Sequence, residues 1–217
     1  MQDHESKVYG VGLNDVSPVS HYEGGKKKLC PFYVRWRGML RRCYDDKYKA
    51  KSYEFVTVHE DWLTFSNFKA WMETQDWEDK DLDKDILGDG NFYSPETCCF
   101  LTKDQNRFLV DRKACRGDLP LGVSLRKGTS LYRAQIRNSL TNKSESLGNF
   151  KTPEQAHEAW RQRKLEIGLK VFEKSSGEVL TAIYNKYKWS VGRVRPTLKT
   201  EMPNDRCGGR ICPTLKT

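Results

Sequence analysis

The stretch Leu82-Asp83-Lys84-Asp85-Ile86-Leu87-Gly88-Asp89-Gly90-Asn91-Phe92-Tyr93-Ser94-Pro95-Glu96-Thr97-Cys98-Cys99-Phe100-Leu101-Thr102-Lys103-Asp104-Gln105-Asn106 decides how this chain is read. Asp83-Lys84-Asp85 closes an apolar–polar run. Gly88-Asp89-Gly90-Asn91 is a turn, because glycine and asparagine supply the positive φ values of a tight reversal. Tyr93 to Leu101 reads as a second extended segment, rich in aromatic, Thr and Cys residues. Thr102-Lys103-Asp104-Gln105 fits a capping box, with Thr102 as N-cap and Gln105 three residues on. Asn106 then falls in the first turn of a helix, where it can face back toward Asp83. Strand, loop, strand, helix, with an acid at one end and an amide at the other, can hold one divalent ion.

These residues resemble the ββα-metal motif of HNH endonucleases in its phage-encoded and homing form, which reads roughly L-D-[HR]-I-D-x-x-G-x-Y-x-P-x-N-C-R-W with a second Asn further on. Asp83 matches the metal-binding acid, and Tyr93-Ser94-Pro95-Glu96-Thr97-Cys98 matches Y-x-P-x-N-C. Asn106 falls nine positions after Thr97, at the motif's spacing. Lys84 stands where the motif has His or Arg, and Thr97 where it has Asn. The resemblance implies a metal-dependent DNA endonuclease that nicks or cleaves double-stranded DNA. Asp83 and Asn106 would hold Mg²⁺ or a similar hard cation through oxygen ligands. Lys84 would be the base, or a phosphate clamp with His59 or hydroxide as base. Thr97 would orient the base or shape the loop. A lysine ammonium is a poor base near neutral pH. The departures at Lys84 and Thr97 also fit the alternative, a decayed nuclease that binds DNA as a repressor or inhibitor.

The rest of the composition agrees with a DNA partner. The chain has 217 residues, 37% hydrophobic and 31% charged, with a formal net charge of +9. No apolar run of about 18 residues implies a membrane span. The first residues lack the basic and apolar regions of a signal peptide, so a cytoplasmic protein is expected. Seven cysteines without a C-x-x-C pair argue for reduced thiols rather than a disulfide framework or structural zinc. The positive charge lies in the second half: residues 118–170 carry ten Lys/Arg against five Asp/Glu, and residues 184–217 carry eight against two. Such a field suits a polyanion.

Upstream of the central stretch, residues 1–30 read as an N-terminal arm, with a possible strand at Tyr9–Leu13 and a turn and charge run at Glu23–Lys28. Pro31 to Tyr44 reads as a helix: Phe32, Trp36, Met39, Leu40 and Cys43 share one face. Arg35, Arg37, Arg41 and Arg42 share the other, open either to DNA phosphates or to solvent. Phe55, Val56 and Val58 suggest a short strand. Phe65, Phe68, Trp71 and Met72 mark a second amphipathic helix. The acidic run from Asp76 to Asp85 either raises cation affinity or solvates a loop. Residues 31–113 are thus expected as one HNH-like module.

After a Gly/Pro linker the pattern changes. Gly122–Leu125, Tyr132–Arg137 and Ser144–Phe150 read as three strands. In the middle one Tyr132, Ala134 and Ile136 share a face, and Arg133, Gln135 and Arg137 the opposite one. Thr152-Pro153-Glu154-Gln155 opens a helix to about Ile167. The landmarks Gly122-Val123, Tyr132 to Arg137, Leu147 to Phe150 and Thr152 to Ala156 resemble the APETALA-type (ethylene-response-factor) DNA-binding domain. That resemblance implies a sheet laid on duplex DNA, with Arg126, Arg133, Gln135, Arg137 and Lys143 as its contacts. Ser146 and Ser124 replace an aromatic and an arginine of that family, which thins base readout. The expected fold is therefore α+β: a ββα-metal module, then over 118–170 a three-stranded antiparallel sheet packed on one helix. Residues 171–217 are expected as a basic, largely flexible tail with a short helix at Val179–Tyr187 and a near-repeat, Gly192–Thr200 and Gly209–Thr217.

Overall fold

The computed structural model describes residues 7–110 and 118–188. The chain is mixed α+β with a three-stranded antiparallel sheet. The Gly192 and Gly209 repeats and most of the linker lie outside the described residues.

The first strands are β1 (Ser20–Glu23) and β2 (Lys26–Leu29), an antiparallel ribbon. Helix α1 (Pro31–Tyr44) follows at the predicted bounds, with Pro31 in its first turn, where a missing N–H costs nothing. It buries Trp36, Met39, Leu40 and Cys43. Helix α2 (Phe65–Glu73) buries Phe65, Phe68 and Met72 against it. Between the helices runs β3 (Thr57–Val58). The Trp36 indole N–H donates to the Trp62 carbonyl at 2.7 Å, so its buried polar atom is satisfied.

The segment before the ribbon is not a loose arm. Val8 pairs with Gly12, and Leu13 pairs with Thr64 in parallel, so Tyr9–Val11 is a turn rather than a strand. Val8, Tyr9, Val11, Val16 and Val19 pack on the first core. Asp15 Oδ1 accepts the Ser66 backbone N–H at 2.9 Å, supplying the cap that Thr64 does not give α2.

The central stretch forms β4 (Asp81–Asp83), β5 (Phe92–Tyr93), β6 (Cys99–Leu101) and helix α3 (Lys103–Leu109). The single strand expected from Tyr93 to Leu101 is split. β5 pairs in parallel with β3, while β6 pairs antiparallel with β4. A Thr97-centred loop between them changes the partner. The Thr102/Gln105 capping box is complete in both directions.

Strands β7 (Val123–Leu125), β8 (Tyr132–Arg137) and β9 (Ser144–Phe150) form a sheet in that order, and α4 (Pro153–Val171) packs on it. Gly122 makes the close approach possible. It has φ +74°, and a Cβ there would overlap the Trp160 indole. Helix α5 (Gly177–Tyr187) then packs against α4. Residues 171–188 are therefore not tail: Phe172 and Ile183 are fully buried. The sequence reading missed this because Lys and Glu surround these few apolar residues.

The two halves are joined by a core. One cluster gathers α1, α2, β3 and Phe100; the other gathers Leu101 and Phe108 with Ile136, Trp160, Ile167, Phe172 and Ile183. Adjacent residues of β6 point to opposite faces. The β4–β6–α3 unit is thus held between both cores.

Candidate functional site

Asp83 ends β4 opposite Cys99, at one end of the two-stranded β4–β6 sheet. Its Oδ1 accepts the backbone N–H groups of Asp85 and Ile86, both at 3.0 Å, which turns the chain sharply after the strand. Burial pushes the Asp83 carboxyl above its ordinary value, and the neighbouring Asp85 charge adds to this. The two N–H donors and Lys84 work against it. Among the described residues no hydrogen bond engages Oδ2.

Lys84 turns the other way. Only 6% of it is exposed. Its ammonium sits 2.6 Å from Asp85 Oδ1, with ring centroids of Tyr53 and Tyr93 at 5.0 and 5.8 Å. Gly90 leaves room for the pair: a Cβ there would lie 2.7 Å from Asp85 Oδ1. Arg42 completes this pocket by donating from Nε and Nη2 to the Tyr93 hydroxyl, at 3.2 and 3.1 Å. Burial drives the Tyr93 phenol well above its usual range, so it stays protonated. Tyr53 was not singled out from sequence, and Arg42, expected to face DNA phosphates or solvent, turns inward to Tyr93 instead. Only the adjacency of Lys84 and Asp85 offered a signal.

Thr97 organises the loop between β5 and β6. Its Oγ1 donates to the Phe92 carbonyl at 2.8 Å and accepts the Ser94 N–H at 3.0 Å. A Cβ at Gly88 would come within 3.0 Å of the Thr97 Cβ, so the loop folds against the Gly88 turn. Asn106 sits in α3 with Nδ2 3.5 Å from the Leu101 carbonyl. The anchors of Asp83 and Asn106 are Cys99 and Leu101, about 7 Å apart along β6.

Among the described residues no group of three or more His, Cys, Asp or Glu gathers as metal ligands. A hard cation such as Mg²⁺ does not need one, because it binds through one or two carboxylates and completes its shell with water and phosphate oxygens. The open Oδ2 of a half-buried carboxylate whose charge is disfavoured fits that chemistry; the Asn106 amide oxygen is the second candidate. Burial raises the Cys98 and Cys99 thiols to about 12, so neither is a thiolate. His59 lies beside Phe92, ring centroids 6.1 Å apart, and its Nδ1 accepts the Asp61 N–H at 3.3 Å. In the neutral ring that assigns the proton to Nε2, which leaves no free acceptor there. Asp76 and Asp85 of the acidic run are ion-paired with Lys80 and Lys84.

The arginines of α1 are engaged by their own chain. Arg35 donates to the Pro31 and Lys80 carbonyls and lies over Trp77; Arg37 lies over Tyr9; Arg41 lies 3.9 Å from the Tyr48 ring centroid.

The sheet is different. Along β8 the side chains alternate, Ala134 and Ile136 buried and Arg133, Gln135 and Arg137 exposed. The register sets Asn149 opposite Arg133, Ser146 opposite Gln135 and Ser144 opposite Arg137. A bulge between Ala134 and Gln135 keeps Asn149, Ser146 and Ser144 on the outer face despite their odd spacing. Arg126 and Lys143 lie exposed in the two connecting turns. Among the described residues no salt bridge engages Arg126, Arg133, Arg137 or Lys143. The acid of β9, Glu145, is turned to α4. Hydrogen bonds from Arg163, at 2.7 and 3.2 Å, and from Asn138 at 2.7 Å hold its carboxyl down at about 2. The outer face is left with cations and neutral polar groups alone.

No protein-family model, curated protein or solved structure matches the chain.

Proposed function

We propose that this chain is a duplex-DNA-binding protein of the phage HNH homing type, with the β7–β8–β9 face holding the duplex and the β4–β6–α3 unit acting on a phosphodiester. One observation carries the reading. The outer face of the sheet presents Arg133, Gln135 and Arg137 in a row, flanked by Arg126 and Lys143, with the local acid turned away. Cations attract phosphates, and Arg and Gln can pair with base edges.

The resemblance to HNH endonucleases extends this to metal-dependent cleavage. Asp83 Oδ2 and the Asn106 amide oxygen would hold a divalent cation, which when bound stabilises charge developing on a phosphodiester. Asp83 Oδ1 fixes the turn that presents the carboxylate. Thr97 fixes the facing loop. Lys84 is held on Asp85 within the same turn.

A second reading is DNA binding without cleavage, and the buried Lys84 favours it. Lys84 is enclosed by Asp85, Tyr53 and Tyr93, and His59 Nδ1 already accepts the Asp61 N–H. Incubation of the full chain with supercoiled plasmid, with and without Mg²⁺, separates the two. Nicking or linearisation that requires Mg²⁺ and is lost in Asp83→Asn supports cleavage. Tight duplex binding with intact plasmid supports the second reading.

A further inference from the structure

Among the described residues the β1–β2 ribbon makes no substantial contact with any other element. Its base is fixed: the Cys30 N–H donates to the Val19 carbonyl at 2.8 Å, and Val19 and Cys30 both pack on the first core. Beyond that point every residue of β2 is exposed, as are His21, Tyr22 and Glu23. Tyr22 is 75% exposed and Leu29 43%. The tip is Gly24-Gly25, with φ +57° and +75°, the pair of positive values that a two-residue hairpin turn requires. A two-stranded ribbon with no core is marginal in water. This one is anchored at its base and closed by its turn, and it buries almost nothing.

Its chemistry is specific. Lys26, Lys27 and Lys28 follow one another. The register sets Tyr22 opposite Lys27 and His21 opposite Lys28. Directly opposed residues share a face, so one face carries Tyr22 beside Lys27, and the other carries Lys26 and Lys28 with His21 and Glu23. Lys28 pairs with Glu23 at 2.5 Å. Among the described residues no salt bridge engages Lys26 or Lys27. Two free ammonium groups and an exposed phenol thus stand on both sides of a narrow ribbon. The ribbon holds no Arg, Asn or Gln, and its lysine ammoniums act as point charges, which suit phosphate.

We infer that the β1–β2 ribbon is a second contact with duplex DNA, gripping backbone phosphates through Lys26 and Lys27 without reading sequence. This rests on the DNA-binding reading of the chain but on residues separate from the sheet. Charge complementarity selects the occupant: lysines without carboxylate partners suit a polyanion, and point charges suit its backbone phosphates.

The test uses the full chain and two unrelated duplexes over a salt series. The variants are Lys26→Gln/Lys27→Gln/Lys28→Gln, Lys27→Glu alone, and Arg133→Gln/Arg137→Gln. The ribbon is exposed, so its variants should melt with the wild type. Each phosphate contact contributes about 0.9 to the slope of log affinity against log salt. The triple variant should therefore be shallower by about 2 and bind about tenfold more weakly near physiological salt, equally on both duplexes. Lys27→Glu should weaken binding in the same sense. If the ribbon variants weaken binding and the arginine variant does not, the inference stands while the sheet loses its role. Wild-type slope and affinity in both ribbon variants overturn the inference and leave the ribbon for another partner, such as an acidic protein. A wild type that binds no duplex overturns both readings.

Discussion

Lys84 and Asp85 are chain neighbours and ion-pair partners, but their environments differ. The side chain of Lys84 is 7% exposed and that of Asp85 62%. Removing Asp85 strands an ammonium in a phenolic pocket; removing Lys84 leaves a carboxylate that water can reach. Breaking a buried pair from one side costs several kcal/mol. Asp85→Ala should therefore destabilise by about 2–3 kcal/mol, and Lys84→Met, which keeps the volume, by under about 1.5 kcal/mol. Urea unfolding of both variants checks the order; the reverse order would show that Lys84 is not held by Asp85. Asp83 gives a sharper prediction. Its raised folded-state value means that its contribution to stability falls as pH rises from the ordinary carboxylate range through that value. Asn keeps the acceptor that Asp85 and Ile86 N–H groups need and removes the charge. Above that window and without metal, Asp83→Asn should be at least as stable as wild type, whereas Asp83→Ala, which loses the turn, should be less stable. A Tm series at pH 7 in EDTA distinguishes them.

At the scale of elements, the sheet and its helix are the most testable part. Gly122 lies against Trp160, so Gly122→Ala combines overlap with an unfavourable φ and should cost about 3 kcal/mol. A cost below 1 kcal/mol would show that strand and helix do not approach so closely. Glu145 supplies the pH test. Its folded-state value of about 2 lies below the ordinary carboxylate range, so the stability from Arg163 and Asn138 is present above about pH 4.5 and lost as pH falls toward 2. Wild type should lose more stability than Glu145→Gln over that interval. These elements were legible because local signals agreed. The alternation of Tyr132–Arg137 gave both faces, Pro31 gave the start of α1, and Thr102 and Thr152 gave two N-caps, although the return bond to the cap is complete only at Thr102. The split of Tyr93–Leu101 was not legible, because no local pattern shows that β5 pairs with distant β3 while β6 pairs with β4. Asp83, Thr97 and Asn106 were named through the resemblance to the HNH motif. The burial of Lys84 could not, since it depends on Tyr53, Tyr93 and Gly90 arriving from separate segments.

For the whole molecule, the shared core matters most. Phe108 of α3 packs on Phe172 and Tyr187, with ring centroids 5.9 Å apart in each case, and touches the Gly168 backbone face. Residues 118–170 alone would expose that surface and lose Leu101 and Phe108 as partners. Phe108→Ala should therefore cost about 3–5 kcal/mol and lower one cooperative transition. Two separated transitions, with only one shifted, would show that the halves fold independently. The same coupling fixes the β7–β8–β9 sheet to the β4–β6–α3 unit, so experiments on binding belong on the full chain.

The central claim is that the outer face of β7–β8–β9 binds duplex DNA. The most direct measurement is the equilibrium affinity of the full chain for a labelled duplex, wild type against Arg133→Gln/Arg137→Gln, over a salt series with Tm as the folding control. The double variant should fold normally, bind at least about tenfold more weakly, and show a salt slope shallower by about 2. Equal affinity and slope in the two proteins would contradict the account.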